Sequence, residues 1–84
     1  MYLIPTMMKK TRTELGMSQR QFAQHLGIHY NTVHNYENGL VIPHEELHPM
    51  LSKLLGIKQK DIERMCANEL TNRRSNARES KTNN

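Results

Sequence analysis

The chain has 84 residues, a formal net charge of +4 and one cysteine. Its length limits it to one small domain, with a core near the lower limit of independent stability. A single cysteine excludes an internal disulfide, which is typical of a reducing, cytoplasmic location, and no apolar run is long enough to span a membrane. The sequence predicts no cofactor.

The positive charge is concentrated near the C-terminus. Residues 71–84 hold Arg73, Arg74, Arg78 and Lys81 against one glutamate, whereas residues 1–70 are nearly balanced, with eight basic and seven acidic side chains. A basic tail is compatible with a polyanionic partner but does not identify one. Motifs in residues 1–70, and not the charge, therefore indicate the function.

The first predicted helix covers residues 5–15, because Pro5 suits a helix start and a glycine follows the segment. A second helix begins after Ser18, whose hydroxyl can cap the first turn while Gln21 reaches back to it. Gly27 ends this helix, and we expect it to have a positive φ.

The third helix is predicted from about Tyr30 to Glu37 and ends at the Asn38–Gly39 pair. At about 100° per residue, Val33 and Tyr36 fall on the same side as Glu37. The opposite side is polar and carries the candidate base-reading residues Tyr30, Asn31, His34 and Asn35. Two short helices joined by a tight turn, with a polar face on the second, are typical of a helix-turn-helix that reads the major groove of DNA.

The residue types of this face suit base edges. Asparagine can bond adenine in a bidentate way, histidine can donate to guanine, and a tyrosine ring can touch a thymine methyl group. The helix has no lysine or arginine, which favours base reading over general phosphate binding. An ordinary solvated helix face is the alternative. Candidate phosphate contacts, beginning with the residue in the first turn of the second helix, are Gln19, Arg20, Thr32 and Asn38.

The rest of the chain predicts two more helices. The fourth ends at Gly56 and begins between His44 and Pro49, with either a late start at the proline or a kink. The fifth covers about 58–69, with Ile62, Met65 and Cys66 on one face. Residues 71–84 are almost free of apolar side chains and are predicted to be a disordered tail. The expected fold class is all-α: a compact five-helix domain over residues 1–70, with its motif at about 18–37.

Residues 16–39 resemble the Cro/repressor-type (lambda-repressor-like, XRE) helix-turn-helix family. The resemblance rests on the pairs Ser18-Gln19, Phe22-Ala23, Thr32-Val33 and Tyr36-Glu37 together with Gly39. It covers roughly residues 5–70, and Pro43 and Leu54–Ile57 match the part that closes the family's domain. His29 departs from the pattern, since serine or threonine usually caps the recognition helix.

The resemblance implies a transcriptional repressor from a prokaryote, phage or plasmid. Such a protein binds a near-palindromic operator in double-stranded DNA, usually as a homodimer. It also implies an ion pair between Arg12 and Glu37 that ties the first helix to the third. For the dimer contact we expect spare apolar surface on the fourth and fifth helices, at Met50, Leu54, Ile62 and Met65.

Other functions have weaker support. The five histidines lack the ligand spacing of a zinc site, so no metal is expected, and no catalytic constellation surrounds Cys66, so an enzyme is not expected. The serious alternative is an antitoxin or adaptor that uses the same fold mainly for protein–protein interaction. The sequence leaves open a protein partner such as a toxin or an antirepressor.

Overall fold

The computed structural model describes the backbone of residues 2–82 and the side chains of residues 2–75. Five α-helices follow one another in chain order, and a short 3-10 helix, Glu45–Leu47, precedes the fourth. No strand occurs in the described part of the chain, which confirms the expected all-α fold. The helices are α1 Ile4–Glu14, α2 Gln19–Leu26, α3 Tyr30–Glu37, α4 His48–Leu55 and α5 Gln59–Thr82.

Local chemistry accounts for the boundaries of α2 and α3. The Ser18 hydroxyl accepts from the Gln21 amide at 3.1 Å, and the Gln21 side chain accepts from the Ser18 amide at 2.9 Å, so the predicted capping box is present. Gly27 ends α2 with φ 70°. His29 caps the N-terminus of α3, because its Nδ1 accepts a hydrogen bond from the Asn31 amide at 3.1 Å.

Proline decides where α4 begins. The 3-10 helix brings the chain to His48, and Pro49 then lies in the first turn of α4, where no helical amide is needed. Of the two alternatives, the late start is therefore confirmed. The preceding loop is only partly buried: Pro43 is buried, while Leu40 and Val41 are exposed.

The core lies between α1, α2, α3, α4 and the first half of α5. Ala23 is small and 3% exposed, which lets α3 cross α2 closely. Ile62 is fully buried, so its assignment to a spare apolar surface for dimerisation is wrong. The buried apolar side chains are Ile4, Met8, Phe22, Ala23, Val33, Tyr36, Leu51, Ile62 and Cys66.

α5 is longer than the sequence predicts. It continues as a helix through Thr82, whereas the sequence predicts a fifth helix over about 58–69 and a disordered tail after it. Arg73 gives the physical reason for the first turns of this extension: its guanidinium reaches Glu69 and the backbone carbonyls of Gly39 and Leu40. Residues 83 and 84, the end of the expected tail, lie outside the described residues.

Candidate nucleic-acid interface

The outward face of α3 is a continuous polar surface. Asn31 and His34 are exposed, Tyr30 is 39% exposed and Asn35 is half-buried. The inward face is buried through Val33, Tyr36 and Glu37, and the burial of Tyr36 raises the pKa of its phenol. The structure thus brings the four predicted base-reading side chains together on one face. It places Thr32, predicted to contact phosphate, half-buried at the edge of that face.

One buried carboxylate joins the first three helices. Glu37 Oε2 accepts from Arg12 Nε at 2.8 Å, and Glu37 Oε1 accepts from Gln19 Nε2 at 3.2 Å. Arg12 Nη1 also donates to the Met17 carbonyl at 2.9 Å. The Glu37 side chain is 2% exposed, so its charge is balanced almost entirely by these donors. The carboxylate therefore holds α3 in a defined orientation against α1 and α2.

Arg20 supports the other end of α3. Its guanidinium carbon lies 4.9 Å from the centre of the Tyr30 ring, within the range of a cation–π contact. Arg20 is in the first turn of α2 and Tyr30 is the first residue of α3. The N-terminal turns of these two helices therefore present a positive charge and an aromatic ring side by side.

Asn38 closes the C-terminal end of α3. Its Nδ2 donates to the His34 carbonyl at 2.8 Å and lies 3.4 Å from His34 Nδ1. Both side chains are exposed, and the carbonyl oxygen of the Asn38 amide stays available to a ligand. The contact restricts the orientation of Asn38 beside a base-reading candidate.

The N-terminus of α2 offers backbone donors to an anion. The capping box satisfies the amides of Ser18 and Gln21 and leaves those of Gln19 and Arg20 without a helical partner. These amides stand at the positive end of the helix dipole. A phosphate there would also meet the Arg20 side chain.

Sequence reasoning missed two contacts of this surface. Gln19 was predicted to touch phosphate, but its bond to Glu37 was not expected, and neither was the stacking of Arg20 on Tyr30. Both contacts join residues ten or more positions apart across the turn, where no spacing rule applies. The only sequence signal for either contact was that two polar residues, Gln19 and Arg20, directly follow the Ser18 cap.

Two further properties concern the described residues alone. No group of three or more His, Cys, Asp or Glu side chains there could hold a metal ion. None of the described helices has the length and apolar character needed to cross a membrane.

Comparison with known proteins agrees with this geometry. The family model described as helix-turn-helix matches residues 8–58, which is more than half of the chain. The match begins in α1 and ends just after α4, so it includes Glu37 and its two donors. No curated protein and no solved structure matches the chain.

Proposed function

Because the chain belongs to the Cro/repressor-type helix-turn-helix family and is a DNA-binding transcription regulator, we propose that it is a cytoplasmic repressor of a near-palindromic operator. The proposal extends to a homodimer and to a prokaryotic, phage or plasmid origin. Repression would come from steric exclusion of RNA polymerase at the bound promoter.

One observation carries the proposal: α3 presents polar side chains outward while its opposite face is locked in the core. Asn31, His34 and Asn35 have the donors and acceptors that distinguish base pairs in the major groove. Rigid attachment through Glu37 limits the entropy lost when these groups meet DNA. In this proposal, α3 reads the bases.

Phosphates on either side of the groove would set the position of α3. Gln19 and Arg20 stand at the N-terminus of α2, and Asn38 stands at the C-terminal end of α3. Thr32, at the edge of the face, would touch the same backbone. Contacts of this kind orient a protein on the duplex without choosing its sequence.

A dimer would place two copies of α3 in successive major grooves, about 34 Å apart. The proposed apolar contact consists of Met50, Leu54 and Met65, which are only partly buried, and excludes Ile62, which is fully buried. Sedimentation at micromolar to high micromolar concentration tests this point. A monomer throughout that range would remove the homodimer from the proposal.

Selection of bound duplexes from a random pool tests the proposed function with the intact chain. We expect a short palindrome with half-sites about one helical turn apart. Asn31→Ala should change the enriched sequence, whereas Asn68→Ala, an exposed asparagine on α5, should not. If the intact chain enriches no sequence, the repressor proposal fails and the antitoxin or adaptor function becomes the better hypothesis.

A further inference from the structure

A side chain in the extension of α5 reaches back to the end of α3. Arg73 Nη2 donates to the Gly39 carbonyl, and Nη1 donates to the Leu40 carbonyl at 3.3 Å. Arg73 Nε donates to Glu69 Oε2 at 2.9 Å, which fixes the direction of the guanidinium. These contacts span 33 and 34 positions of the chain, so α5 is tied to the residues that follow α3.

The carbonyls that Arg73 binds belong to the C-terminal cap of α3. Gly39 has φ 68°, its amide donates to the Tyr36 carbonyl at 3.2 Å, and the Leu40 amide donates to the Asn35 carbonyl at 2.9 Å. This is the two-bond arrangement of a Schellman cap. The peptide group between Gly39 and Leu40 is therefore held at both ends: its N–H by Asn35 and its carbonyl by Arg73.

The same hydrogen bonds lead directly to the reading face. Asn35 is one of the four candidate base-reading residues, and its backbone carbonyl accepts from the peptide that Arg73 holds. A shift of that peptide would loosen the last turn of α3, which also carries His34. The position of Arg73 thus bears on where these two side chains point.

The geometry of the contact requires a guanidinium. Arg73 bonds three acceptors at once, two carbonyls and the Glu69 carboxylate, and its guanidinium lies 5.9 Å from the centre of the Tyr2 ring. These bonds use three different nitrogens of the planar guanidinium, and the single nitrogen of a lysine ammonium cannot stand at all three positions. Arg73→Lys therefore keeps the positive charge but loses the simultaneous hydrogen bonds to the two carbonyls and Glu69.

We propose that Arg73 is a positioning residue for DNA recognition: it holds the C-terminal end of α3. The first turns of the α5 extension then belong to the part of the protein that recognises DNA. This inference rests on the proposed function, since it assigns a role to Arg73 in reading the same DNA. Arg73 acts through the peptide between Gly39 and Leu40 and does not touch the bases. The extension then supports α3 structurally. Its role is not limited to raising the affinity for DNA through its positive charge.

The test compares Arg73→Lys with Arg74→Lys in the full chain. Arg74 is the exposed neighbour on the same helix and makes a matched control for an arginine-to-lysine change. The probes are the duplex that the intact chain enriches from the random pool and a scrambled duplex of equal length. Both affinities are measured over a series of salt concentrations.

For Arg73→Lys we expect the ratio of enriched-duplex to scrambled-duplex affinity to fall about fivefold to tenfold. The salt dependence should stay unchanged, since the charge is kept. Arg74→Lys should leave the ratio unchanged. Equal losses on both duplexes would make Arg73 a phosphate contact and overturn the proposal, as would an unchanged ratio.

Amide hydrogen exchange without DNA supplies an independent readout. Arg73→Lys should speed exchange of the Leu40 amide severalfold and leave the Ile62 amide of the core unchanged. General acceleration, at Ile62 as well, would indicate a loss of overall stability and overturn the positioning role. If no sequence is enriched, the proposed function has failed, and the Leu40 amide still decides whether Arg73 holds the end of α3.

Discussion

Replacing Glu37 by glutamine removes the charge on which three helices converge. The variant keeps the size of the side chain, so no cavity forms and the change is mainly electrostatic. Arg12 would then lie 14% exposed without an anion, with only the Met17 carbonyl and the new amide oxygen as acceptors. We expect the free energy of unfolding to fall because a nearly buried guanidinium loses its counter-charge.

The size of the loss follows from burial. Breaking a buried pair by removing one partner costs about 3–5 kcal/mol, whereas an exposed pair is worth about 0–1 kcal/mol. The Glu37 side chain is 2% exposed, which points to the buried range, but the glutamine oxygen still accepts one bond from Arg12. The expected loss is therefore about 3 kcal/mol, or about 2–3 M in the urea midpoint of a domain of this size.

Urea denaturation followed by circular dichroism measures this loss. Glu63→Gln serves as the control, since Glu63 is exposed and accepts only from Gln59 at 3.2 Å; its cost should stay below about 0.5 kcal/mol. In an Arg12→Met background, Glu37→Gln should cost much less, because no buried cation remains to be paired. Equal losses for Glu37→Gln and Glu63→Gln, or no coupling to Arg12, would refute the reasoning.

Further predictions concern DNA and pH. Asn31→Ala should lose about 1–3 kcal/mol on the enriched duplex and little on random DNA, in a fluorescence anisotropy titration; equal losses would contradict base reading. Gln19→Ala should weaken binding to both duplexes and leave the enriched sequence unchanged, as repeated selection would show; a new consensus would exclude a phosphate role. Burial raises the pKa of Tyr2, Tyr36 and Cys66, so the folded chain keeps protons that the unfolded chain loses. The free energy of unfolding should therefore be little affected by these groups well below about pH 9. It should begin to fall as the pH rises past about 9–10, where the unfolded thiol and phenols ionise, and should continue to fall at higher pH, in urea titrations at each pH. In the Tyr2→Phe variant the free energy of unfolding should fall less steeply with pH. A curve parallel to that of the parent chain would contradict the role given to Tyr2.

Much of the site could be predicted because its signals are local. The Ser18 cap and the helical period that turns Val33 and Tyr36 inward depend on residues three or four positions apart. Such patterns place the polar face of α3 without any knowledge of the fold. The ion pair between Arg12 and Glu37 was predicted only from the family resemblance, because 25 positions separate the two residues and no local pattern links them.

Errors arose where a long-range contact decides the outcome. Ile62 satisfies the helical period of a surface stripe equally well, and only the packing of α5 against the other helices shows that it is buried. The fifth helix was predicted to end near residue 69, because composition takes no account of Arg73, whose two carbonyl acceptors lie more than 30 positions away. Composition shows how much apolar area a segment can bury, but it contains no information about individual tertiary contacts of this kind.

By itself the sequence determined the five-helix class, the capping box of α2, the C-terminal end of α3, and the side of α3 that carries the polar side chains. Each follows from hydrogen bonds and periodicity within one helical turn. Tertiary structure alone decided that Gln19 joins Arg12 on the carboxylate of Glu37, that Arg20 stacks on Tyr30, and that Arg73 holds the end of α3. These contacts depend on how the helices cross, which no spacing along the chain encodes.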